Sequence, residues 1–274
     1  MKNIIVPVDF TELSEDALII AQSIASKLNA ELTALHVMNI PGEALLNEEG
    51  ALVEGNGLDI HLLNEKRVTQ ENKLKRWLKT FEWPTKSKVL MGNTVEKVLD
   101  YAENENMDLI IMGTHNLHGV KEHISSTMGE QVMLQASMPV ITVKCNRPDY
   151  VIKEMVFAHD FHQKSTKLHA IKTLQQAFDA RLHLLQIINN KEEQNVGENL
   201  MKSFVQEHGL SNVQFHFLED KNVVDGIARF SAEQKIDLLA LETKGRRGFS
   251  SLIYGCVSSD LTHHMMAPIL TFKE

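Results

Sequence analysis

Two glycine-containing segments hold the residue types in this sequence that could do chemistry. Each follows a short apolar run and leads into a segment of helical spacing. Glycines let backbone N–H groups approach an anion, and the N-terminus of a following helix adds further donors. Both segments therefore suit an anionic ligand such as a phosphate. They read Gly113-Thr114-His115-Asn116-Leu117-His118-Gly119 with Ser126-Thr127, and Glu242-Thr243-Lys244-Gly245-Arg246-Arg247-Gly248 with Gly255-Cys256.

The other reactive side chains do not form a recognisable catalytic or metal-binding set. His115, His118 and His123 lie close together, but no cysteine and no HExxH-type helix accompanies them, which favours a solvated loop edge. The sequence contains no legible Ser-His-Asp, Cys-His or GxSxG arrangement. Cys256 precedes a predicted helix, where the pKa of a thiol can fall, although a buried small side chain is the simpler interpretation. We therefore predict no catalytic residue and no metal.

The chain repeats itself, and the repeat shows which elements must position the glycine segments. Four pairs of blocks match in the same order, and from Met107 onward their offset is 129 residues. This pattern predicts a duplication, with domain 1 at residues 1–146 and domain 2 at residues 150–274. The matched blocks are Asn3–Phe10 with Glu154–Phe161, Asn29–Asn39 with Asp179–Asn189, Met107–Met112 with Ile236–Leu241, and Met138–Lys144 with Ala267–Lys273.

Domain 1 is longer than domain 2. The offset falls from 150 at Val37 and Ile187 to 129 at Met107 and Ile236, so domain 1 carries 21 extra residues between these points. Glycines and acidic residues place the insertion at about residues 40–63. It is either a tolerated surface loop or a lid or partner-docking loop beside a pocket.

Short apolar runs alternate with segments of helical period, which predicts an α/β fold of two tandem doubly wound, parallel five-stranded sheets flanked by helices. Such sheets bind ligands outside the carboxyl ends of their strands. The predicted strands of domain 1 are Ile4–Val8, Leu32–Val37, Val89–Met91, Leu109–Met112 and Val140–Val143. Its predicted helices are one capped by Ser14 and those at Glu65–Phe81, Val95–Asn104 and Glu130–Ala136.

Together these features resemble the universal stress protein family. The glycine segments are similar to the family signature G-x2-G-x9-G-[ST]. The strand-one aspartate, the Asp-Leu-Ile or Asp-Leu-Leu run and the final Pro-Val or Pro-Ile strand also agree with it in both halves. The resemblance covers nearly the whole chain. It implies the adenine nucleotide alpha hydrolase-like fold and, in the ATP-binding branch, a loop that surrounds the phosphates.

Neither half keeps the full signature. In domain 1, Asn116 and Ser126 replace two glycines, while Gly113 and Thr127 are kept. Asn tolerates the left-handed conformation better than most residues, and the Ser126 hydroxyl could donate to a phosphate. This half therefore keeps most of the groups that the signature provides.

Domain 2 departs further from the signature. Gly245 and Gly255 are kept, but Cys256 stands where Ser or Thr is usual, and Glu242 replaces the first glycine. A carboxylate about 4 Å from a phosphate costs roughly 1–4 kcal/mol, which the basic residue Arg246 and its neighbour offset in part. If one cleft binds an anion, we expect it to be that of domain 1.

The resemblance implies the contacts of an adenine nucleotide by position. Asp9 should receive the adenine or ribose; alternatively, Asp9 and Asp160 only cap the loop and helix that follow them. The site predicted in domain 1 consists of Pro7, Val8, Asp9, Val37, Met112, Gly113, Asn116, Ser126 and Thr127. The site predicted in domain 2 consists of Asp160, Ile187, Leu241, Gly245, Arg246, Gly255 and Cys256.

Composition limits the compartment and the partners. The 274 residues carry a formal charge of −8, which gives no general attraction to nucleic acid or anionic membranes. The sequence shows no signal segment, no run of about 18 apolar residues and only two cysteines, so we expect a cytoplasmic protein. Pro139–Lys144 and Pro268–Lys273 should pair within the chain. The two domains of one chain would then form an internal pseudo-dimer. The whole chain would be either a monomer or a dimer of two such chains.

Three functions follow as hypotheses. In the first, one or both clefts bind ATP or a related adenine nucleotide, with or without Mg²⁺, and occupancy changes which protein partner docks. In the second, the clefts bind no nucleotide and the chain is a stress-response scaffold that acts through protein contacts. The third, a weak ATPase, ranks lowest because the sequence supplies no clear general base and no Walker-type lysine.

Overall fold

A computed structural model of the chain describes residues 1–39, 60–114, 128–144, 149–161, 168–243 and 267–273. Strands and helices alternate through both halves, as the sequence predicts. The elements of domain 1 are β1 (Asn3–Pro7), α1 (Glu12–Leu28), β2 (Glu31–Met38), α2 (Ile60–Leu78), β3 (Thr85–Met91), α3 (Thr94–Asn104), β4 (Leu109–Gly113), α4 (Met128–Gln135) and β5 (Val140–Val143). Those of domain 2 are β6 (Glu154–Ala158), α5 (His169–Phe178), β7 (Arg181–Ile188), α6 (Glu193–His208), β8 (Val213–Glu219), α7 (Val223–Glu233), β9 (Leu238–Thr243) and β10 (Ile269–Lys273).

Three elements of domain 1 begin two or more residues earlier than predicted. Helix α2 begins at Ile60, so the end of the predicted insertion is helical, and residues 40–59 lie outside the described residues. Strand β3 begins at Thr85, because its first residues alternate between half-buried and exposed positions at a sheet edge and lack a continuous apolar run. Helix α4 begins at Met128, which brings its first turn closer to the end of β4 in sequence.

The strands of both domains form one ten-stranded sheet. Its order is β3-β2-β1-β4-β5-β10-β9-β6-β7-β8, so each half has the same doubly wound order. Strands β5 and β10 are antiparallel, with Ile141 facing Leu270. These two residues are counterparts in the repeat, so a pseudo-twofold axis passes between them. The predicted pairing of the last strands within the chain is confirmed.

Polar residues fix both ends of α1. The prediction that Ser14 caps this helix is wrong, because the N-cap is Thr11, whose Oγ1 accepts the Ser14 N–H at 3.3 Å. Ser14 lies in the first turn, and its hydroxyl donates to the Thr11 carbonyl at 3.0 Å. At the other end, Asn29 adopts the left-handed conformation with φ of 50°, and its counterpart Asp179 does so with φ of 52°. Asn and Asp tolerate this conformation better than most residues, which explains the amide and carboxylate at this point of the repeat.

One aspartate in each domain accepts hydrogen bonds from the backbone at the start of that domain's first strand. Asp108 Oδ2 accepts hydrogen bonds from the backbone N–H groups of Lys2 and Asn3. Asp237 Oδ2 likewise accepts those of Lys153, at 2.8 Å, and Glu154, at 3.0 Å. Burial raises the pKa of Asp108, but its two backbone hydrogen bonds outweigh this effect and leave the pKa below its ordinary value. The repeated Asp-Leu run is therefore explained by strand anchoring.

Apolar side chains cover both faces of the sheet. On one face a single core spans the two domains, and α1 packs against α5 across the junction. On the other face each domain has its own smaller core, under α3 and α4 in domain 1 and under α7 in domain 2. Among the described helices, none combines the length and the apolar character needed to cross a membrane.

Candidate functional site

A cavity opens at the carboxyl ends of the central strands of domain 1, where the strand order switches between β1 and β4. Its volume is about 420 Å³, within the ~300–1,000 Å³ of typical ligand pockets. The predicted site residues that line it are Pro7, Val8, Asp9, Val37 and Gly113. The lining also includes residues that sequence reasoning did not assign to the site, such as Thr11, Ser14, His36, Asn39, Thr94 and Gly129.

Strand β1 ends in a turn with unusual backbone geometry. Phe10 has φ of 66°, and its counterpart Phe161 has φ of 56°. This conformation is rare for an aromatic residue and costs about 1–3 kcal/mol, and such strain occurs most often at functional sites. The Phe10 ring packs on the His36 ring, with 4.8 Å between centroids, and lies 3.8 Å from the Lys73 ammonium. These contacts hold the turn that follows Asp9 at the cavity mouth.

The Asp9 carboxylate is fixed as a hydrogen-bond acceptor. Its Oδ1 accepts the Thr11 N–H at 3.0 Å and the Thr11 hydroxyl at 2.6 Å. Burial raises the pKa of Asp9, but the hydrogen bonds from Thr11 and Ser14 outweigh this effect and lower the pKa below its ordinary value. The capping role considered for Asp9 is thus real, and Asp9 also lines the cavity. A carboxylate there suits amino or hydroxyl groups of a ligand and repels phosphates.

Two glycines, Gly113 and Gly129, line the part of the cavity that suits an anion. A Cβ at Gly113 would lie 2.6 Å from the backbone oxygen of Leu13, so a side chain there would displace the start of α1. Gly129 belongs to the first turn of α4, whose N-terminus therefore borders the cavity. Bare backbone and a helix N-terminus favour an anion. One cavity thus combines a hydrogen-bond acceptor with backbone that suits an anion.

Two predicted site residues lie in the core instead. Met112 is 1% exposed and packs with Val98 and Val132 beneath α3 and α4. Neighbouring residues of a strand point to opposite faces, so Met112 does not line the cavity beside Gly113. Leu241, its counterpart in domain 2, is 3% exposed and lies in the core beneath α7. Their side chains therefore belong to the core, so any contact of Met112 or Leu241 with a ligand would come from the backbone and stays a prediction.

In domain 2, a buried pair occupies the positions that correspond to Val8 and Gly113. The His159 Nε2 lies 3.1 Å from Glu242 Oε2, and both side chains are 2% exposed. The Phe161 N–H donates to His159 Nδ1 at 2.9 Å, so the ring carries its proton on Nε2 and donates it to Glu242. Glu242 Oε1 has no hydrogen-bond partner within the described ranges. A buried carboxylate with one unpaired oxygen opposes an anion at this mouth.

Several predicted site residues lie outside the described residues, and their contacts stay predictions. They are Asn116, Ser126, Thr127, Gly245, Arg246, Gly255 and Cys256, together with the histidines His115, His118 and His123. Two other predicted site residues of domain 2 are described. Asp160 lies two residues after the end of β6 and is exposed, and Ile187 is the second-last residue of β7 and is partly buried. Within the part of the chain that the structure covers, no group of His, Cys, Asp and Glu is arranged to hold a metal ion.

Asn39 and Thr94 form a part of the cavity rim that sequence reasoning missed. The Thr94 hydroxyl donates to Asn39 Oδ1 at 3.2 Å, which links the end of β2 to the start of α3. Asn93 caps α3 by accepting the Glu96 N–H at 3.2 Å. The run Gly92-Asn93-Thr94 has the composition of a strand end followed by a helix cap, and this signal could have identified the rim.

A second cluster of titratable side chains lies in domain 2, in the half of the sheet nearer the strand starts. His183 Nε2 lies 2.7 Å from Glu154 Oε2, and His183 Nδ1 lies 2.8 Å from His216 Nε2. The Phe230 ring of α7 packs on both imidazoles. Burial, with a smaller contribution from His183, lowers the pKa of His216 to about 4. This chain of hydrogen bonds therefore holds a neutral His216 under a helix, away from the mouth of the sheet.

Comparison with known proteins agrees with the duplicated architecture. The chain matches the family model of the Universal stress protein family over residues 1–144 and 152–273. Universal stress protein MJ0531 of Methanocaldococcus jannaschii is 30% identical over 145 residues, which cover 52% of this chain and 82% of that protein. A universal stress protein structure from Archaeoglobus fulgidus has the same fold, with a TM-score of 0.72 at 18% identity over 99% of this chain and 96% of that one.

A further solved relative is a universal stress protein in complex with cAMP. It is 15% identical, with a TM-score of 0.35, over 44% of this chain and 97% of that one. The two family matches fall on the two halves of the repeat, and together they account for nearly all residues. The chain belongs to the universal stress protein family, with two copies of the domain in tandem.

Proposed function

We propose that the cavity of domain 1 binds an adenine nucleotide and that the chain is a nucleotide-dependent stress-response module. The observation that carries this proposal is one cavity of about 420 Å³ that is lined both by the Asp9 carboxylate and by two glycines, Gly113 and Gly129, the second of them in the first turn of α4. A nucleotide carries hydrogen-bond donors at one end and negative charge at the other, which matches this polarity.

The polarity of the cavity also orients the ligand. The adenosine part lies beside Asp9, where a carboxylate accepts hydrogen bonds from ribose hydroxyls or the adenine amino group. Val8 and Val37 offer apolar surface for the purine. The phosphates lie beside Gly113 and the N-terminus of α4, whose free backbone N–H groups suit negative charge. The residues present therefore fit ATP or a related adenine nucleotide, and Mg²⁺ would accompany the phosphates.

The cleft of domain 2 is not expected to bind a nucleotide. The buried Glu242, held by His159 at 3.1 Å, stands where domain 1 has Gly113. Its charge costs a nearby phosphate about 1–4 kcal/mol at intermediate dielectric, enough to weaken binding by about 5–1,000-fold. We therefore expect one nucleotide per chain, with domain 2 free to serve as a surface for a protein partner.

Isothermal titration of the full chain with ATP, with and without Mg²⁺, tests the proposal. The expected result is one site per chain. Replacing Asp9 with Ala removes a charged acceptor and should weaken binding by about 10–100-fold. The matched variant Asp160→Ala, at the exposed counterpart in domain 2, should bind ATP like the wild type. No heat at millimolar ATP would reject the proposal.

The second candidate function is a scaffold without nucleotide, and the buried His159–Glu242 pair favours it for domain 2. If this loss of anion binding extends to domain 1, protein purified from cells should contain no adenine nucleotide. Mass spectrometry of the denatured protein distinguishes the two functions, since stoichiometric nucleotide supports binding and its absence, together with a silent titration, supports the scaffold.

A further inference from the structure

A second cavity, of about 400 Å³, lies at the junction between the domains. It borders the starts of the domain 1 strands, at Met107, Asp108 and Met138, and the end of β10, at Phe272 and Lys273. The nucleotide cavity lies at the opposite ends of the domain 1 strands, so the two cavities are separate. Nothing in the proposed nucleotide binding uses this second cavity.

The pseudo-twofold axis relates the cavity beside Asp108 to the region beside Asp237 in domain 2. An aromatic side chain, Tyr150, lies in that region. Asp108 and its counterpart Asp237 fasten their strands in the same way, with Oδ2 on two backbone N–H groups. In domain 2, Tyr150 is 4% exposed, and its hydroxyl donates to the Asp237 carbonyl at 3.0 Å. The Ser23 hydroxyl of α1 donates to the Tyr150 carbonyl, so this residue is held between the domains. The architecture therefore accommodates a phenol ring beside this aspartate.

We propose that the cavity beside Asp108 binds a small para-substituted phenol, in the manner in which Tyr150 lies beside Asp237. The wall chemistry suits an aromatic ring. Thioether sulfur atoms, as in Met107 and Met138, and aromatic rings such as Phe272 attract another ring. Lys273 also lines the cavity, and a cation attracts the negative face of an aromatic ring. The Asp108 carbonyl is the acceptor that corresponds to the one used by Tyr150.

The test uses p-cresol, which has the atoms of a tyrosine side chain, and the full chain labelled with ¹³C at the methionine methyl groups. The methyl resonances of Met107 and Met138 should move upfield in a saturable way, because they enter the shielding region of a bound ring. A ligand of this size should give a Kd of about 1 mM. The methyl group of Met201, in the core of domain 2, should not move. Saturating ATP should leave the shifts unchanged, which separates this site from the nucleotide cavity.

A blocking variant makes the result specific. Ser137 lines this cavity and is exposed, so Ser137→Trp should fold and cover the opening, reducing the p-cresol shifts at least 5-fold. The matched control is Ser203→Trp, on an exposed position of α6, which should leave the shifts intact. The proposal is overturned if the methyl shifts of Met107 and Met138 grow linearly with p-cresol, if they do not exceed that of Met201, or if they persist in Ser137→Trp.

Discussion

The hydrogen-bonded chain Glu154–His183–His216 predicts that the chain loses stability in mild acid. Glu154 accepts from His183 Nε2, which leaves His183 Nδ1 as the acceptor for the His216 Nε2–H. Arg181 also contacts Glu154, at 3.2 Å, and supports its charge. Protonating His216 would add a positive charge to this partly buried cluster, beneath the Phe230 ring. We therefore compare the stability of the chain at pH 7.5 and at pH 5.

The size of the effect follows from the pKa of His216. This pKa is about 4 in the folded chain, against 6.5 for the ordinary side chain. As the pH falls, the unfolded chain binds the proton first, so the stability contribution is complete above about pH 6.5 and is lost progressively toward about pH 4. Between pH 7.5 and 5 the full difference amounts to about 2 kcal/mol. Because His216 is only partly buried, we expect about 1–2 kcal/mol.

Urea unfolding of the wild type and of His216→Gln at both pH values measures this contribution. The Gln amide can still donate to His183 but does not titrate, so this variant should lose about 1–2 kcal/mol less than the wild type between pH 7.5 and 5. His61→Gln, at an exposed position of α2, is the matched control and should behave like the wild type. Equal losses in the wild type and His216→Gln would show that protonation of His216 does not destabilise the folded chain.

The remaining predictions concern the anchoring and packing of the cleft. Gly113→Ala should lower the free energy of unfolding by about 1–3 kcal/mol, because its Cβ would collide with the Leu13 backbone, and an unchanged melting temperature would contradict this. Asp108→Ala and Asp237→Ala should each cost about 1.5–3 kcal/mol in urea unfolding, because each leaves two strand N–H groups without their charged acceptor. The exposed Asp100→Ala should cost less than about 0.5 kcal/mol, so similar costs for all three aspartates would count against the anchoring role.

Hydrophobic period and internal repetition were sufficient to predict the architecture. Buried strands of a parallel sheet are continuous apolar runs, which is why β4 and β5 were located within a residue or less. The predicted edge strand β3 lacked its first four residues, because exposed positions interrupt the apolar run there. The matched final strands also predicted the β5–β10 junction, since edge strands of two like halves pair readily.

A residue of the site could be predicted only where the local sequence alone determines its position. Thr11 and Ser14 are both good cap residues, and the choice between them depends on the Asp9 carboxylate, which holds the Thr11 hydroxyl at 2.6 Å. The placement of Met112 requires knowing which face of β4 its neighbour Gly113 uses. Glu242 lies in β9 and His159 directly follows β6, so this pair emerges only when β6 and β9 lie side by side.

Native mass spectrometry of the full chain with ATP tests most directly whether the two halves have divided in function. Counting bound molecules requires no assumption about affinity or partner. We predict a single ATP per chain, retained in Asp160→Ala and depleted in Asp9→Ala at the same ATP concentration. Two molecules per chain, or none at millimolar ATP, would contradict a nucleotide cavity confined to domain 1.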